Sequence, residues 1–201
     1  MAKFKNTKNE LKAQRDSLRR YERYLPTLQL KKQQLQLEVR QVEHRLDECR
    51  RREEQLLAGL SSWVALFGDG TDFAGWIAIQ RIERDETNVA GVNIPVLREV
   101  VFERHVPDLF TTSPWVDDGI ECLAELAKLR IELLVLEEQK ALLVDELRTT
   151  NQRVNLFERV KIPECKDVIR RVRIYLGDMQ VLDVGRGKIA KQKTLERETA
   201  T

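Results

Sequence analysis

Apolar residues recur along the first part of the chain at alternating steps of three and four positions. This seam starts at Phe4 and holds to Leu60, with few polar interruptions. A mean spacing of about 3.5 residues kept over so many steps is typical of a coiled coil and not of an ordinary amphipathic helix. Residues 1–62 are therefore predicted to form one long coiled-coil helix. The seam continues in phase past Pro26, so we expect a kink there and not a chain break.

A second seam occupies the last part of the chain. It begins at Cys122, slips in register near Pro163 and resumes at Cys165. Such a slip locally changes the supercoil, so the helix pair should straighten or bend there. Residues 115–201 are predicted to form the partner helix, antiparallel to the first, and its basic end would overhang as a single helix. That overhang contains three glycines, so by propensity it is a poor helix unless a partner surrounds it.

Residues 63–114 break both seams. Two runs in this segment, at 76–83 and 92–102, are rich in residues that suit strands. The polar stretch at 84–91 between them ends in a Gly and is expected to be the hairpin connection. Pro95 should place its strand at an edge or force a bulge. The predicted fold class is mainly α: a long antiparallel two-helix coiled coil of N- and C-terminal helices, with a small central insertion that contains a β-hairpin.

The charge is unevenly distributed along the chain. Counting Lys and Arg against Asp and Glu, residues 1–32 carry +7, residues 61–122 carry −7 and residues 170–201 carry +4, although the net charge is only +2. In an antiparallel coil the two basic segments share one end, with the acidic insertion at the other. A charged fraction of 34% favours long solvated helices over a thick core. No apolar run reaches the about 18 residues of a membrane span, and no secretory signal is expected.

Candidate chemistry is sparse. Three separated cysteines and two separated histidines form no metal-ligand spacing. A Cys165–His–Asp nucleophilic site is possible on paper, but it is disfavoured because His44 lies on the predicted rod and His105 in a loop. Cys49 and Cys122 fall on seam positions, where apolar packing is favoured over a redox function. No catalytic, cofactor-binding or metal-ligating residue is predicted, and we expect a chain that is not an enzyme in its own right. Nucleic-acid binding by the basic end is disfavoured, because no aromatic stacking motif accompanies it.

Five stretches, in order and spread over nearly the whole chain, resemble a known family. They are TKNEL at 7–11, LQLKKQQL at 28–35, NVAGVNIPVL at 88–97, RVNLFERVKIP at 153–163 and RGKIAKQK at 186–193. Each stretch is weakly specific alone. Together, on a helix–hairpin–helix chain of this length, they are similar to the D subunit of the V-type and archaeal-type rotary ATPases.

The resemblance implies a non-catalytic central rotor shaft, which couples ATP hydrolysis or synthesis in a catalytic hexamer to ion translocation through a membrane ring. Its coiled coil would enter the hexamer of A and B subunits. Its middle region would bind the small F subunit of the stalk and the subunit that links the stalk to the membrane ring. It would be cytoplasmic and peripheral on the inner face of the cell membrane through the complex, without cofactor, nucleic acid or direct membrane insertion.

Candidate subunit-interface residues fall into two groups. The motifs of the resemblance assign Val89, Gly91, Val92, Pro95, Arg153, Asn155 and Glu158. The basic end is expected to contact acidic patches of the hexamer through Arg170, Arg171, Arg173, Arg186, Lys188 and Lys191. The alternative functions are a prefoldin-like coiled-coil chaperone and a structural spacer. The direction of catalysis and the ion transported are left open.

Overall fold

The computed structural model describes residues 5–61, 75–105, 112–113 and 115–199. Residues 63–74, 106–111 and 114 of the predicted insertion lie outside the described residues, as does residue 62 of the predicted N-terminal helix. The elements in chain order are α1 (Lys8–Leu60), β1 (Ile77–Val89), β2 (Val92–Arg104), α2 (Val116–Leu156), a π-helical turn (Phe157–Lys161) and α3 (Ile162–Thr199). The mainly α class with a hairpin between long helices is confirmed.

The packing divides the chain into two compact units, which are described separately. The hairpin unit comprises Lys31–Thr149, and the terminal unit comprises Met1–Leu30 with Thr150–Thr201. Helix α1 contributes residues to both units.

The start of α1 is capped by its own sequence. The Thr7 hydroxyl oxygen accepts a hydrogen bond from the Glu10 backbone N–H at 3.2 Å, as an N-cap Thr does for an otherwise unpaired donor. Glu10 also places a negative charge in the first turn, where it is favoured by the helix dipole. Helix α1 then continues unbroken through Pro26, although proline has no N–H to donate to the Glu22 carbonyl. The expectation that Pro26 does not end the helix is confirmed.

In the hairpin unit, the predicted seam is the core. The α1 members follow the alternating steps of four and three, and the α2 members face them in one cluster: Leu35, Val39, Val42, Leu46 and Cys49 with Leu133, Leu136 and Leu143. Leu35 and Leu143 are both fully buried, at 0% exposure. Ile94 of β2 joins the same cluster, so the hairpin shares the hydrophobic core of the coil.

Ion pairs across the hairpin unit fix the antiparallel direction. Lys31 lies 2.6 Å from Glu146, Glu43 lies 2.9 Å from Lys140, and Glu53 lies 2.8 Å from Arg130. As the α1 number rises, the α2 number falls, as antiparallel helices require. Partly exposed pairs of this kind contribute only about 0–1 kcal/mol each, so they specify alignment more than they stabilise the unit.

The hairpin turn is shorter than the sequence predicted. The connection consists of Ala90 and Gly91 alone, with φ of 51° and 82°, the pair of positive values that a type I′ turn requires. The prediction of a loop over 84–91 is therefore wrong for 84–89, which continue β1 opposite β2. The polar residues there indicated a loop, but in a two-stranded hairpin polar side chains can face solvent along an extended strand. Pro95 lies opposite Glu86 in a strand with a free edge, as expected.

In the terminal unit, α1 packs against the π-helical turn and against α3. The rings of Tyr21 and Phe157 lie 5.0 Å apart, and Glu22 lies 3.6 Å from Lys166. The buried apolar residues on the C-terminal side are Val154, Cys165, Val168, Ile169 and Val172. The two cross-helix contacts show that the two ends of the chain pack together within this unit.

The π-helical turn accounts for the register slip near Pro163. The spacing from Phe157 to Cys165 is one residue longer than the repeat requires, and the Ile162 N–H accordingly bonds back to the Phe157 carbonyl, five residues earlier. In a regular α-helix the Pro163 ring would clash with the carbonyl four residues before it. A wider turn at this point both absorbs the extra residue and precedes the proline.

Helix α3 is unbroken to Thr199 despite its glycines. The expectation of a poor helix is wrong here, because Gly177, Gly185 and Gly187 all lie within α3. A Cβ added at any of the three would meet no atom within 4 Å, so no close packing of this chain requires a glycine there.

Candidate functional site

The cysteines are packing residues in this structure. Cys49 and Cys165 are buried, at 2% and 5% exposure, and the Cys49 thiol donates a hydrogen bond to the Leu129 carbonyl at 3.7 Å. Burial raises the pKa of both thiols, which keeps them protonated at neutral pH. In the part of the chain that the structure describes, no three His, Cys, Asp or Glu side chains are grouped to hold a metal ion.

Candidate residues of the hairpin turn pack within the chain. Val89 and Val92, with Ala90 between them, contact the core cluster of the coil. A Cβ built on Gly91 would lie 3.7 Å from the Lys31 ammonium nitrogen. The hairpin therefore lies along the coil, with its turn beside Lys31.

Hydrogen bonds hold the turn in this conformation. The Gly91 N–H donates to the side-chain oxygen of Asn88 at 3.1 Å, and the Asn88 amide donates to Asn93 at 2.7 Å. The Pro95 carbonyl accepts a hydrogen bond from the Gln139 side chain of α2. The four interface residues predicted here are thus brought together, and their contact with a partner protein stays a prediction.

Gln139 is a residue that sequence reasoning missed. It is 4% exposed in α2, and its side-chain oxygen has no hydrogen-bond partner among the described residues. Nearby, Arg84 of β1 lies 3.5 Å from Glu138. The sequence did not single it out, because Gln139 is one of four consecutive polar residues between the seam leucines Leu136 and Leu143.

In contrast to the buried Gln139, the polar candidate residues of the C-terminal motif are not buried. Arg153 and Glu158 are exposed and Asn155 is half-buried, whereas Val154 between them is buried at 4% exposure. Glu158 lies in the π-helical turn itself. The motif thus combines buried and partly buried seam residues with polar side chains that face solvent, and the contact of those polar side chains with a partner stays a prediction.

The basic candidates of α3 fall into two places. Arg170 and Arg173 line a groove between α1 and α3, together with Arg15 and Arg19 of α1. The two α1 arginines were not among the predicted residues, although the +7 charge of the N-terminal segment was a signal for them.

The remaining basic candidates are exposed side chains of α3: Arg171, Arg186, Lys188 and Lys191. Helix α3 also exposes apolar side chains that the sequence reasoning did not select. Val181, Val184 and Ile189 are 72%, 60% and 58% exposed. None of the described helices has both the length and the apolar content that a membrane crossing needs.

Comparisons with known proteins found sequences that are similar to this chain over nearly its whole length. The sequence model of the ATP synthase D-subunit family matches residues 10–192. The V-type ATP synthase D subunit of Borreliella burgdorferi is 43% identical over 197 residues, which cover 98% of both chains. Those of Chlamydia abortus and Chlamydia pneumoniae are each 34% identical, over 98% and 94% of this chain and 96% and 92% of their own.

Proposed function

Because the chain belongs to the ATP synthase D-subunit family, we propose that it is the non-catalytic central rotor shaft of a V-type or archaeal-type rotary ATPase. Its coiled coil turns inside the hexamer of catalytic A and B subunits. The rotation couples ATP hydrolysis or synthesis in that hexamer to ion translocation through the membrane ring. In this assembly the chain is cytoplasmic and peripheral on the inner face of the cell membrane.

The observation that carries this proposal is the side-by-side helix pairing within each unit, which is antiparallel in the hairpin unit. The hairpin unit is held by a buried seam and by cross-helix ion pairs such as Lys31–Glu146. The terminal unit is held by the Tyr21–Phe157 contact and a second buried seam. A shaft must transmit torque, and two helices interlocked side by side resist bending and twisting better than one helix does.

The surface of α3 supports a role inside a ring of other subunits. Its exposed arginines and lysines allow salt-sensitive contact with acidic patches. The helix also exposes the apolar side chains Val181, Val184 and Ile189, which a surrounding subunit could cover. Rotation of this asymmetric surface would favour a different state of each catalytic interface in turn, through different contacts with each state.

A charge-neutralised variant tests this coupling. Replacing several of the basic residues together with Gln should weaken coupled pumping in the reconstituted complex, while ATP hydrolysis continues. The set is Arg170, Arg171, Arg173, Arg186, Lys188 and Lys191. Coupled pumping that is unchanged in this variant would count against the mechanism.

The hairpin is the proposed contact for the small F subunit of the stalk. Since Val92 packs against the core of its own chain, Val92→Asp would disturb the docking of the hairpin as well as a partner contact. Ile79 of β1 is 48% exposed, so Ile79→Asp tests the partner surface more selectively. We expect Ile79→Asp to release the F subunit with no loss of helical circular dichroism, and an F subunit that stays bound would refute the assignment.

The first experiment is a native pull-down of a tagged copy from gently solubilised membranes, followed by mass spectrometry. The proposal predicts the A, B and F subunits and the subunit that links the stalk to the membrane ring, at fixed stoichiometry and with ATPase activity. Heterogeneous clients, or self-oligomers alone, would instead support the prefoldin-like or spacer function, against which the family membership already argues.

A further inference from the structure

The contacts that hold the hairpin on the coil differ along its length. At the turn end they are apolar: Ile94 is buried in the core cluster, and Val89 and Val92 pack against that cluster. Next to Ile94, two neighbouring residues of α2, Glu138 and Gln139, make polar contacts with the hairpin. We propose that the hairpin opens and closes on the coil as a latch, and that Gln139 is the positioning residue that holds it closed. This inference rests on the proposed function, because the closed hairpin is the form that presents β1 to the F subunit.

The side-chain amide of Gln139 is buried, at 4% exposure, but only half of it is paired. Its nitrogen donates a hydrogen bond to the Pro95 carbonyl of β2, whereas its oxygen has no hydrogen-bond partner among the described residues. A buried oxygen without a donor costs at least as much free energy as one neutral hydrogen bond returns. The amide therefore positions the hairpin and adds little to the stability of its docking.

Pro95 explains why the contact is incomplete. In an antiparallel strand the N–H and C=O of one residue point to the same side, and the Pro95 carbonyl points away from β1 and towards α2. A residue with an N–H at this position would offer a donor beside that carbonyl, and the Gln139 amide could then pair with both groups. Proline has no N–H. The amide is therefore able to make two hydrogen bonds to this strand edge, and the strand supplies one.

The ion pair beside Gln139 is also weak. Arg84 of β1 lies 3.5 Å from Glu138, and their side chains are 46% and 53% exposed. Pairs at this exposure are screened by salt and contribute little to stability. The preceding residue, Glu137, lies 3.1 Å from Arg50 of α1 instead. The polar contacts of the hairpin with α2 are thus suited to break and re-form.

A latch of this kind would regulate the partner contact. Ile79 and residues 84–88 of β1 are exposed, and they keep a fixed position on the coil only while the hairpin is docked. A partner that binds β1 in its docked position selects the closed state, and its apparent affinity falls in proportion to the closed fraction. Gln139 would therefore control binding of the F subunit without touching that subunit.

Hydrogen exchange of the β2 amides in the full-length chain measures the opening. An isolated two-stranded hairpin is marginally stable in water, so the amides of an undocked hairpin exchange faster and their protection factors report the closed fraction. Pro95→Ala supplies the missing N–H to the Gln139 oxygen and should raise these protection factors by about threefold to tenfold. Gln139→Glu places a carboxylate against the Pro95 carbonyl at neutral pH and should lower them by about tenfold or more.

The Gln139→Glu variant contains its own rescue. A protonated carboxyl group can donate to the Pro95 carbonyl as the amide does, so protection relative to the parent chain at the same pH should return as the pH falls through the pKa of the new carboxyl group. Glu138→Gln should lower protection by less than about threefold, since it removes an exposed pair. The matched control is Glu137→Gln, which removes a pair with α1 and should leave the hairpin unchanged. Helical circular dichroism verifies that the coil is folded in every variant.

Binding of the F subunit to the same full-length variants tests the link to function, and Gln139→Glu should weaken it by about the factor by which the closed fraction falls. Equal protection in Pro95→Ala and the parent chain, or a loss in Gln139→Glu that persists at low pH, would overturn the latch. F-subunit binding that is unchanged in an opened Gln139→Glu variant would overturn its regulatory role.

These results also separate the latch from the proposed function. If hydrogen exchange responds as expected but the parent chain does not bind the F subunit, the latch stands and the proposed function fails. If the parent chain binds the F subunit but exchange does not respond to Pro95→Ala, the proposed function stands and the latch fails.

Discussion

Replacement of Leu35 with Ala should destabilise the hairpin unit strongly, because this side chain is fully buried, at 0% exposure, in the seam between α1 and α2. The change removes three carbon atoms, and at about 0.8 kcal/mol per buried methylene the transfer term alone is about 2.4 kcal/mol. The cavity that remains between two helices raises the expected loss of unfolding free energy to about 3–5 kcal/mol.

Leu37 provides a matched control on the same helix. It lies two positions away and is 57% exposed, so Leu37→Ala makes the same chemical change with little cavity and should cost less than about 1 kcal/mol. Urea unfolding of the full-length chain, followed by circular dichroism at the helix band, measures both values. The slope of unfolding free energy against urea concentration must be the same in both variants before their midpoints are compared.

The hairpin should respond to the same substitution, since Ile94 of β2 belongs to the cluster that Leu35 fills. Amide hydrogens of β2 should exchange faster in Leu35→Ala than in Leu37→Ala. Equal destabilisation by the two variants, or a loss below about 1 kcal/mol for Leu35→Ala, would refute the assignment of the seam as the source of stability.

Three further changes test individual features of the helices and the core. Gly185→Ala with Gly187→Ala should stabilise α3 by up to about 1 kcal/mol per site, because both positions are open and helical; thermal melting measures it. Pro26→Ala should increase the free energy of unfolding by up to about 3 kcal/mol, because the new N–H can bond to a backbone carbonyl. A higher midpoint of urea unfolding would show this. Because burial raises the pKa of Cys49 and Cys165 above the ordinary value of 9.0, these thiols ionise first in the unfolded chain, so their contribution to stability should be lost as the pH rises through 9. Urea midpoints against pH measure this effect, and the decrease at high pH should be smaller in the variant with Cys49→Ala and Cys165→Ala than in the parent chain.

The seams were predictable from the sequence because each apolar position contributes to one repeat that extends over many turns. Leu35, Val39 and Val42 could therefore be assigned to the core before any contact was known. The antiparallel direction followed from the insertion between the two helices. The type I′ turn at Ala90 was less predictable, because Ala rarely adopts positive φ, and its packing against the coil is a tertiary effect that no local pattern contains.

The candidate surfaces were only partly predictable. Arg170 and Arg173 were selected from charge alone, but the groove also needs Arg15 and Arg19, which are more than a hundred residues away in the sequence. The pairing of the two helix ends depends on the extra residue absorbed by the π-helical turn. The sequence of one helix shows that the register slips. Only the packed structure shows which side chains of the other helix face this helix after the slip.

Rotation of this chain within the isolated ATPase can be observed directly and would establish the rotor function. Arg98 of β2 has a side chain that is 71% exposed, so Arg98→Cys with Cys122→Ser provides an attachment point for a gold rod, with the catalytic subunits fixed to a surface. We expect unidirectional, stepwise rotation of the rod that requires ATP and stops when ATP is exhausted. A rod that stays fixed while the same complexes hydrolyse ATP would rule out a rotor function.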